Sequence, residues 1–337
     1  MPSHGLAVCW FIPEEDALRH PVRWASLALA LVPVPVAAQS LPLLHPVNPV
    51  AEARSGVYFQ PLVPRGPGWR VATGLDYASM VEIGLRSITD TSYLLDAEVL
   101  RLNLQVTRDL SPEYFVTGEA WAGGAYNGFL DGFLDWYHGL FGIVYPEREG
   151  RPHNRFRYFY ENADGVRTGF SRRGFGLGDL RVGLGRRHGE VAQSVLSVTL
   201  PTNTMGDGFA RGVPSFSLLN TYRAELTRRL VYEGSASVGY TPRHGPLSRY
   251  QDRLFFLGTS GARWRTVGGL WSFANLYLHS PYYSGTGAGQ LDRWDFTIDF
   301  GWMIRGKSGR EFRFGMTEDL WPGGPAVDAN FRLGYAF

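Results

Sequence analysis

From about residue 69 to the end of the chain, hydrophobic and polar side chains alternate at every second position. In "LRLNLQVT", Leu100, Leu102, Leu104 and Val106 share one face, and Arg101, Asn103, Gln105 and Thr107 share the other. In "RWDFTIDFGWMI", Trp294, Phe296, Ile298, Phe300, Trp302 and Ile304 oppose Arg293, Asp295, Thr297, Asp299 and Gly301. In "LVYEGSASVGY", Leu230, Tyr232, Ala236, Val238 and Tyr240 oppose Glu233, Ser235, Ser237 and Gly239. The closing "FRLGYAF" does the same and ends on Phe337. A period of two is the mark of a β-strand with one apolar face. Similar runs begin near Trp69, Tyr114, Gly178, Val191, Phe216, Arg253, Val267, Arg310 and Ala326. Together they predict about a dozen strands of roughly ten residues, long enough to cross a bilayer at a tilt.

Alternation does not by itself say what the apolar face meets, which is a second sheet in a soluble sandwich and lipid in a membrane barrel. Three features favour lipid. Whole strands carry Arg, Asp, Glu, Asn and Ser on the inner face. Aromatic residues recur near strand ends: Trp294 and Trp302 lie eight residues apart, or about 19 Å across the membrane at a ~45° tilt, within an apolar band of ~25 Å. Connections also alternate in length. "RDLSPE", "RRHGE", "TRRL", "RWRTVG" and "RGKSGR" are tight turns, and longer loops separate them near 80–92, 123–177, 201–215, 241–251, 280–290 and 319–326. The expected fold is all-β: a transmembrane up-and-down antiparallel β-barrel of about 12 strands at residues 68–337, with short periplasmic turns and long outer loops.

One stretch breaks the period. In "NGFLDGFLDWYHGLFG", Phe129, Phe133, Trp136 and Leu140 recur at helical spacing, while Asp131, Asp135 and His138 fall together on the opposite side. A short amphipathic helix is expected over 128–141 in the long extracellular loop, with Asn127 as its cap and Gly142 as its stop. Arginines follow at 148, 151, 155, 157, 167, 172 and 173, and "NADGV" reads as a hairpin turn tipped by Asp164-Gly165.

The first residues look like an export signal. Arg23 precedes an apolar run, and Val36 and Ala38 are small residues suited to cleavage. Glu14, Glu15 and Asp16 do not suit the basic start of such a signal, so Val22 is an alternative start. Residues 1–38 are assigned to the signal and 39–67, rich in proline, to a periplasmic lead-in. Cleavage removes Cys9, the only cysteine, and with it any disulfide or thiol chemistry. The net charge of +2 offers no attraction to nucleic acid. Lys307 is the only lysine, in keeping with a GC-rich coding sequence.

With "GGAYNGFLDGFLDWYHGLFGI", "GFGLGDLRVGL", "LPTNTMGDG" and "TEDLWPGGPAVDANFRLGYAF" in place, the chain resembles domain-of-unknown-function family 3187. The resemblance implies an outer-membrane barrel of a Gram-negative cell and supplies no activity or ligand. Leu200 and Asn203 around the Pro-Thr pair depart from the family's pattern. A terminal Phe resembles the signal read by the outer-membrane barrel assembly machinery, which makes that machinery an expected partner through Phe337.

Candidate chemistry is sparse. Asp131, Asp135 and His138 could face a divalent metal or a pH-sensitive contact, but a solvated or Arg-paired face explains them better. Arg148, Arg151, Arg155 and Arg157 could hold lipopolysaccharide phosphates, since guanidinium forks fit phosphate oxygens. His279 and Ser280 are adjacent on a strand and point to opposite faces, so they cannot form a nucleophile and base. No catalytic constellation, metal site or cofactor motif is assigned. The expected function is a passive channel for small polar or amphipathic solutes in the outer membrane. Its helical loop is the expected gate, and Asp131, Asp135, His138, Arg293, Asp295 and Asp299 are expected to line the lumen. The alternative is a non-conducting barrel with a structural role or a surface for lipopolysaccharide, and an outer-membrane hydrolase is the weaker one.

Overall fold

In a computed structural model of the chain, residues 48, 53–84, 91–140, 142, 152–170, 174–205, 210–306, 310–320, 324–325 and 328–337 are described. The signal expected at 1–38 lies outside them. The strands are β1 (Trp69–Gly84), β2 (Ser92–Asp109), β3 (Tyr114–Tyr126), β4 (Arg157–Glu161), β5 (Arg167–Phe170), β6 (Gly174–Leu177), β7 (Leu180–His188), β8 (Ala192–Leu200), β9 (Ser215–Thr227), β10 (Leu230–Tyr240), β11 (Leu254–Arg265), β12 (Leu270–His279), β13 (Asp295–Arg305), β14 (Glu311–Asp319) and β15 (Ala329–Ala336). Helix α1 (Asp131–Leu140) lies between β3 and β4.

Every strand from β7 to β15 pairs antiparallel with its neighbour in sequence, and β1, β2 and β3 do likewise. The ring closes where β15 pairs with β1, from Ala72↔Ala336 to Ser79↔Ala329. Strands β6 and β7 act as one, because both pair with β3, β7 along its first half and β6 near its end. Counted so, the barrel has twelve strands. The β6–β7 join needs glycine, since a Cβ at Gly178 would sit 1.9 Å from the Trp121 ring. Strand β4 continues the sheet above the ring by pairing with the outer end of β2, and β5 returns beside it. The loop expected over 123–177 therefore contains three strands. Its hairpin turns at Gly165 as the "NADGV" pattern predicts, with φ of 73°.

The distribution of side chains is that of a membrane protein. On β14, Glu311, Arg313 and Thr317 are buried in the interior while Phe312 and Phe314 are exposed outside. On β13, Asp295, Thr297 and Asp299 are buried while Phe300, Trp302 and Ile304 are exposed. Leu75, Leu102, Leu184, Leu196, Leu218, Phe256, Leu276 and Leu333 continue this belt around the ring. A soluble barrel would pair each of these with a packed partner; here the apolar surface is the outside.

The interior is not uniformly wet and polar, as the strand pattern predicts. The half toward the short turns is charged. Arg332 pairs with Asp76 at 3.0 Å, Arg181 with Glu119 at 2.8 Å, and Arg223 with Glu233 at 2.6 Å. The half toward the long loops is an apolar core in which Phe59, Met80, Tyr93, Leu95, Tyr160, Phe255, Tyr282 and Tyr283 are packed together. Loop side chains Leu247 and Leu291 join it from above. Strand alternation cannot show this, because these loop residues lie outside any period.

Candidate functional site: an occupied lumen

The dominant feature of the lumen is the chain's own N-terminal segment. Residues Ala53 to Val63 are all buried, and their contacts come from the inner faces of the wall. The lead-in expected outside the barrel thus runs through it, from the loop end to the turn end. Eleven extended residues reach at most about 36–40 Å, enough to cross the lumen.

At the loop end, Asn48 donates to Glu82 Oε1 at 2.6 Å and to the Pro325 carbonyl at 2.8 Å. Arg54 donates to the Tyr283 hydroxyl at 3.0 Å and to the His244 carbonyl at 2.8 Å. Burial pushes the Tyr283 phenol up, against the pull of Arg54, so it stays a neutral acceptor. Ser55 Oγ lies 2.7 Å from His279 Nε2, and Arg211 donates to the Ser55 carbonyl at 2.8 Å. In the middle, the Arg181 guanidinium stands 4.1 Å over the Tyr58 ring, and Thr221 donates to the Gln60 carbonyl at 2.8 Å. Beside Tyr58 a small polar cavity is lined by Arg101, Glu119, Trp121, Asp179, Arg181, Thr199 and Arg211.

At the turn end, Gln193 donates to the Pro61 carbonyl at 3.0 Å and accepts from the Val63 amide at 2.8 Å. Arg187 donates to the carbonyls of Val63 and Pro64, at 3.2 and 3.3 Å, and pairs with Asp109 at 2.6 Å. Asp109 also takes Arg70 and the Gly66 amide. The logic is one of backbone satisfaction. A buried segment outside any sheet must find partners for its peptide groups. Pro61 and Pro64 reduce the number of N–H groups, and wall side chains take the carbonyls.

The histidine noted in the sequence is part of this arrangement. His279 and Ser280 do face opposite ways, and Ser280 Oγ accepts from the Phe256 amide at 3.0 Å. The serine that meets His279 is Ser55, and its approach from 224 residues away leaves no local signal. His279 is stacked on Tyr282 at 4.2 Å, and its Nδ1 faces the Ser280 carbonyl. With Ser55 at 5% and His279 at 0% exposure, no substrate carbonyl reaches the pair, and it serves to hold the segment.

The other expected site residues divide. Asp295 and Asp299 are in the interior, at 2% and 5% exposure. Arg293 is not: it is exposed in the loop that ends at Trp294, one residue before β13. Asp131, Asp135 and His138 do not line the lumen either. Leu130, just before α1, and Leu134, in its first turn, pack with Ala329 and against Tyr77, Met316 and Phe331. Those wall residues are cross-strand neighbours on the outer face, opposite in sense to the buried Asp76 and Arg332. The helix is outside the barrel, so the gate expected from it fails. It starts at Asp131 rather than 128, because Glu98 takes the Leu130 amide at 2.6 Å where Asn127 was the expected cap. Gly142 does stop it, with φ of 65° and its amide on the Gly139 carbonyl at 3.3 Å. Asp135 pairs with His153 at 2.8 Å, and Asp131 accepts from the Asn154 amide at 2.5 Å. Among the described residues no cluster of three or more His, Cys, Asp or Glu is placed to hold a metal ion. Arg155 and Arg157 are exposed after this stretch, while Arg148 and Arg151 lie outside the described residues.

The fold defined by this ring, apolar outside and polar within, is that of the outer-membrane channel barrels. A crystal structure of the COG4313 outer membrane channel from Pseudomonas putida F1 is similar at 13% identity with a TM-score of 0.53, covering 81% of this chain and 96% of that one. The toluene transporter TodX of P. putida is similar at 9% identity with a TM-score of 0.42, covering 81% of this chain and 90% of that one. At 13% identity the likeness to the COG4313 channel is one of fold. The chain belongs to the family described as Protein of unknown function (DUF3187), which matches residues 68–337. No curated protein matches it.

Proposed function

We propose that this protein is an outer-membrane channel for small polar or amphipathic solutes, held closed by residues 53–65 of its own chain. The observation that carries the reading is that this segment fills the lumen without joining the sheet. Its hold consists of side-chain hydrogen bonds and the packing of Val57, Tyr58, Phe59 and Val63, none of it part of the barrel's strand ladder. The gate is therefore assigned to the luminal segment and not to the helical loop. Displacement would open a path past Arg181, Arg187 and Gln193 on one wall and Arg332, Arg313 and Asp299 on the other. Cations and anions are mixed along it, so solute charge is weakly selected.

Arg187 gives the direct test. It makes two bonds to segment carbonyls, and hydrogen bonds to a charged group are each worth about 1.5–3 kcal/mol. Arg187→Ala in the refolded full chain is expected to raise the open fraction in planar bilayers by about tenfold or more. A variant that folds and shows the parent's conductance record counts against the gate.

Outer-membrane residence is part of the same reading and has its own check. The unboiled protein should migrate faster than the boiled protein on SDS gels and should fractionate with outer membranes. Identical migration and recovery in the soluble fraction would remove the membrane assignment. Phe337, whose amide bonds the Val71 carbonyl at 3.0 Å and whose ring meets Tyr335 at 4.7 Å, is proposed to present the C-terminal strand to the assembly machinery.

The closed loop end supports a second reading, a barrel that does not conduct. The apolar core around Phe59, Tyr93, Tyr160 and Tyr282 would then be structural filling, and the luminal segment a permanent part of it.

A further inference from the structure

Helix α1 is amphipathic in the reverse sense. The side chains turned to the wall are Leu130, Asp131, Leu134 and His138, all buried. Those turned away are Phe129, Phe133, Trp136 and Leu140, exposed by 68%, 42%, 59% and 62%. At 100° per residue these four fall within an arc of about 60°, on the side opposite the wall. A helix on a water-bathed protein turns such a stripe inward. This one turns an aspartate and a histidine inward and leaves its aromatics out.

The wall beneath carries a buried carboxylate among its apolar residues. Glu98 is on the outward face of β2 yet only 2% exposed. Its carboxylate takes the Leu130 amide and the Tyr77 hydroxyl. The outer stripe is continuous with the apolar belt of the barrel: Phe129 stacks on Tyr77 at 5.2 Å, and Phe133 meets the edge of Phe331 at 6.0 Å. An apolar patch of this kind, continuous with a lipid-facing belt, calls for the same solvent as the belt.

We propose that α1 is sunk in the outer leaflet of the membrane, where lipid acyl chains cover Phe129, Phe133, Trp136 and Leu140. The exposed Arg155 and Arg157 then meet the phosphates of the same lipids. They follow His153 and Asn154, which are tied to Asp135 and Asp131 at the helix, so the chain leaves the stripe and reaches the arginines within a few residues. The occupant is an anionic outer-leaflet lipid, bound where β1 and β15 close the ring. This inference rests on the reading of the chain as a membrane barrel.

The test uses the full chain with Cys9→Ser and one new cysteine carrying a fluorophore, refolded into vesicles of phospholipid brominated on its acyl chains. Trp136→Cys probes the helix, Trp302→Cys the belt, and Val267→Cys a turn. Labels at 136 and 302 are expected to be quenched by the bromines and shielded from iodide in the buffer, and the label at 267 the reverse. A label at 136 that behaves like 267 while 302 is quenched overturns the inference and leaves the barrel reading intact. Failure of both 136 and 302 overturns the barrel reading with it. For the phosphates, quenching at 136 is compared in brominated phosphatidylglycerol and brominated phosphatidylcholine. Preference for the anionic lipid should fall about fivefold for each of Arg155→Gln and Arg157→Gln. An unchanged preference would remove the arginines from the lipid site.

Discussion

Deletion of residues 53–65 should turn a closed barrel into a conducting one. Eight strands enclose a space that side chains alone can fill, whereas sixteen or more hold open water. Twelve strands lie between, and here the added space is taken by a segment whose residues from Ala53 to Val63 are buried. Removing it leaves Arg181, Arg187, Gln193 and Thr221 without the carbonyls and ring they now hold. Such groups recruit water. The hydrogen-bonded ring begins at Trp69 and does not include the segment, so the deletion variant should still fold and remain heat-modifiable on gels. The expected record is a stable conductance severalfold above that of the intact chain. A folded variant with no increase would mean that the loop-end core around Tyr93, Tyr160 and Tyr282 closes the barrel by itself, and the structural reading would stand.

The second large effect concerns the register of β13. Phe300 is 37% exposed on the outer face and Asp299 is 5% exposed in the interior. An arginine on the lipid face costs about 2–4 kcal/mol near the membrane midplane. Phe300→Arg is therefore expected to lower the unfolding free energy of the protein in lipid by that amount and to reduce the folded yield. Asp299 accepts from Asn275 at 3.5 Å and stands near Arg313 and Arg332, so an arginine there would meet like charges. The fair comparison is Asp299→Asn, which keeps size and hydrogen bonding and should cost less than Phe300→Arg. Urea titration of the two refolded variants decides the matter. Equal losses would show that the faces of this strand are wrongly assigned.

The barrel was legible because its rule is local. A period of two in "RWDFTIDFGWMI" sorts Phe300 from Asp299 without knowledge of any partner, and the runs beginning from Trp69 to Ala326 start within three residues of a strand. Arg293 shows the limit: it shares the period, but β13 begins at Asp295 and the arginine is left in the loop. The helix was legible as an amphipathic element, and Phe129, Phe133, Trp136 and Leu140 do share a face. Periodicity gives two faces but not the solvent of each, so the same pattern fitted a pore lining and a lipid surface alike. Contacts with Tyr77 and Phe331, on the outer face, exclude the pore lining. The luminal segment was not legible at all. Proline-rich residues carry no period, and the partners of Ser55 and Val63 lie 224 and 130 residues away.

The direction of that segment bears on how the molecule is made. Asn48 sits at the end where the long loops gather, while Gly66 sits among the short turns where β1 begins. If the turns face the periplasm, the exported N-terminus finishes on the opposite side from the one where it arrives. Either β15 meets β1 while the segment is already enclosed, or the free end threads a finished ring. Enclosure requires only that the wall assemble around a chain portion synthesised first. Threading would require polar and aromatic side chains to pass one another in a crowded bore. On this geometry the segment is a mandrel, and the pairing that closes the ring, Ala72 with Ala336 through Ser79 with Ala329, encircles it.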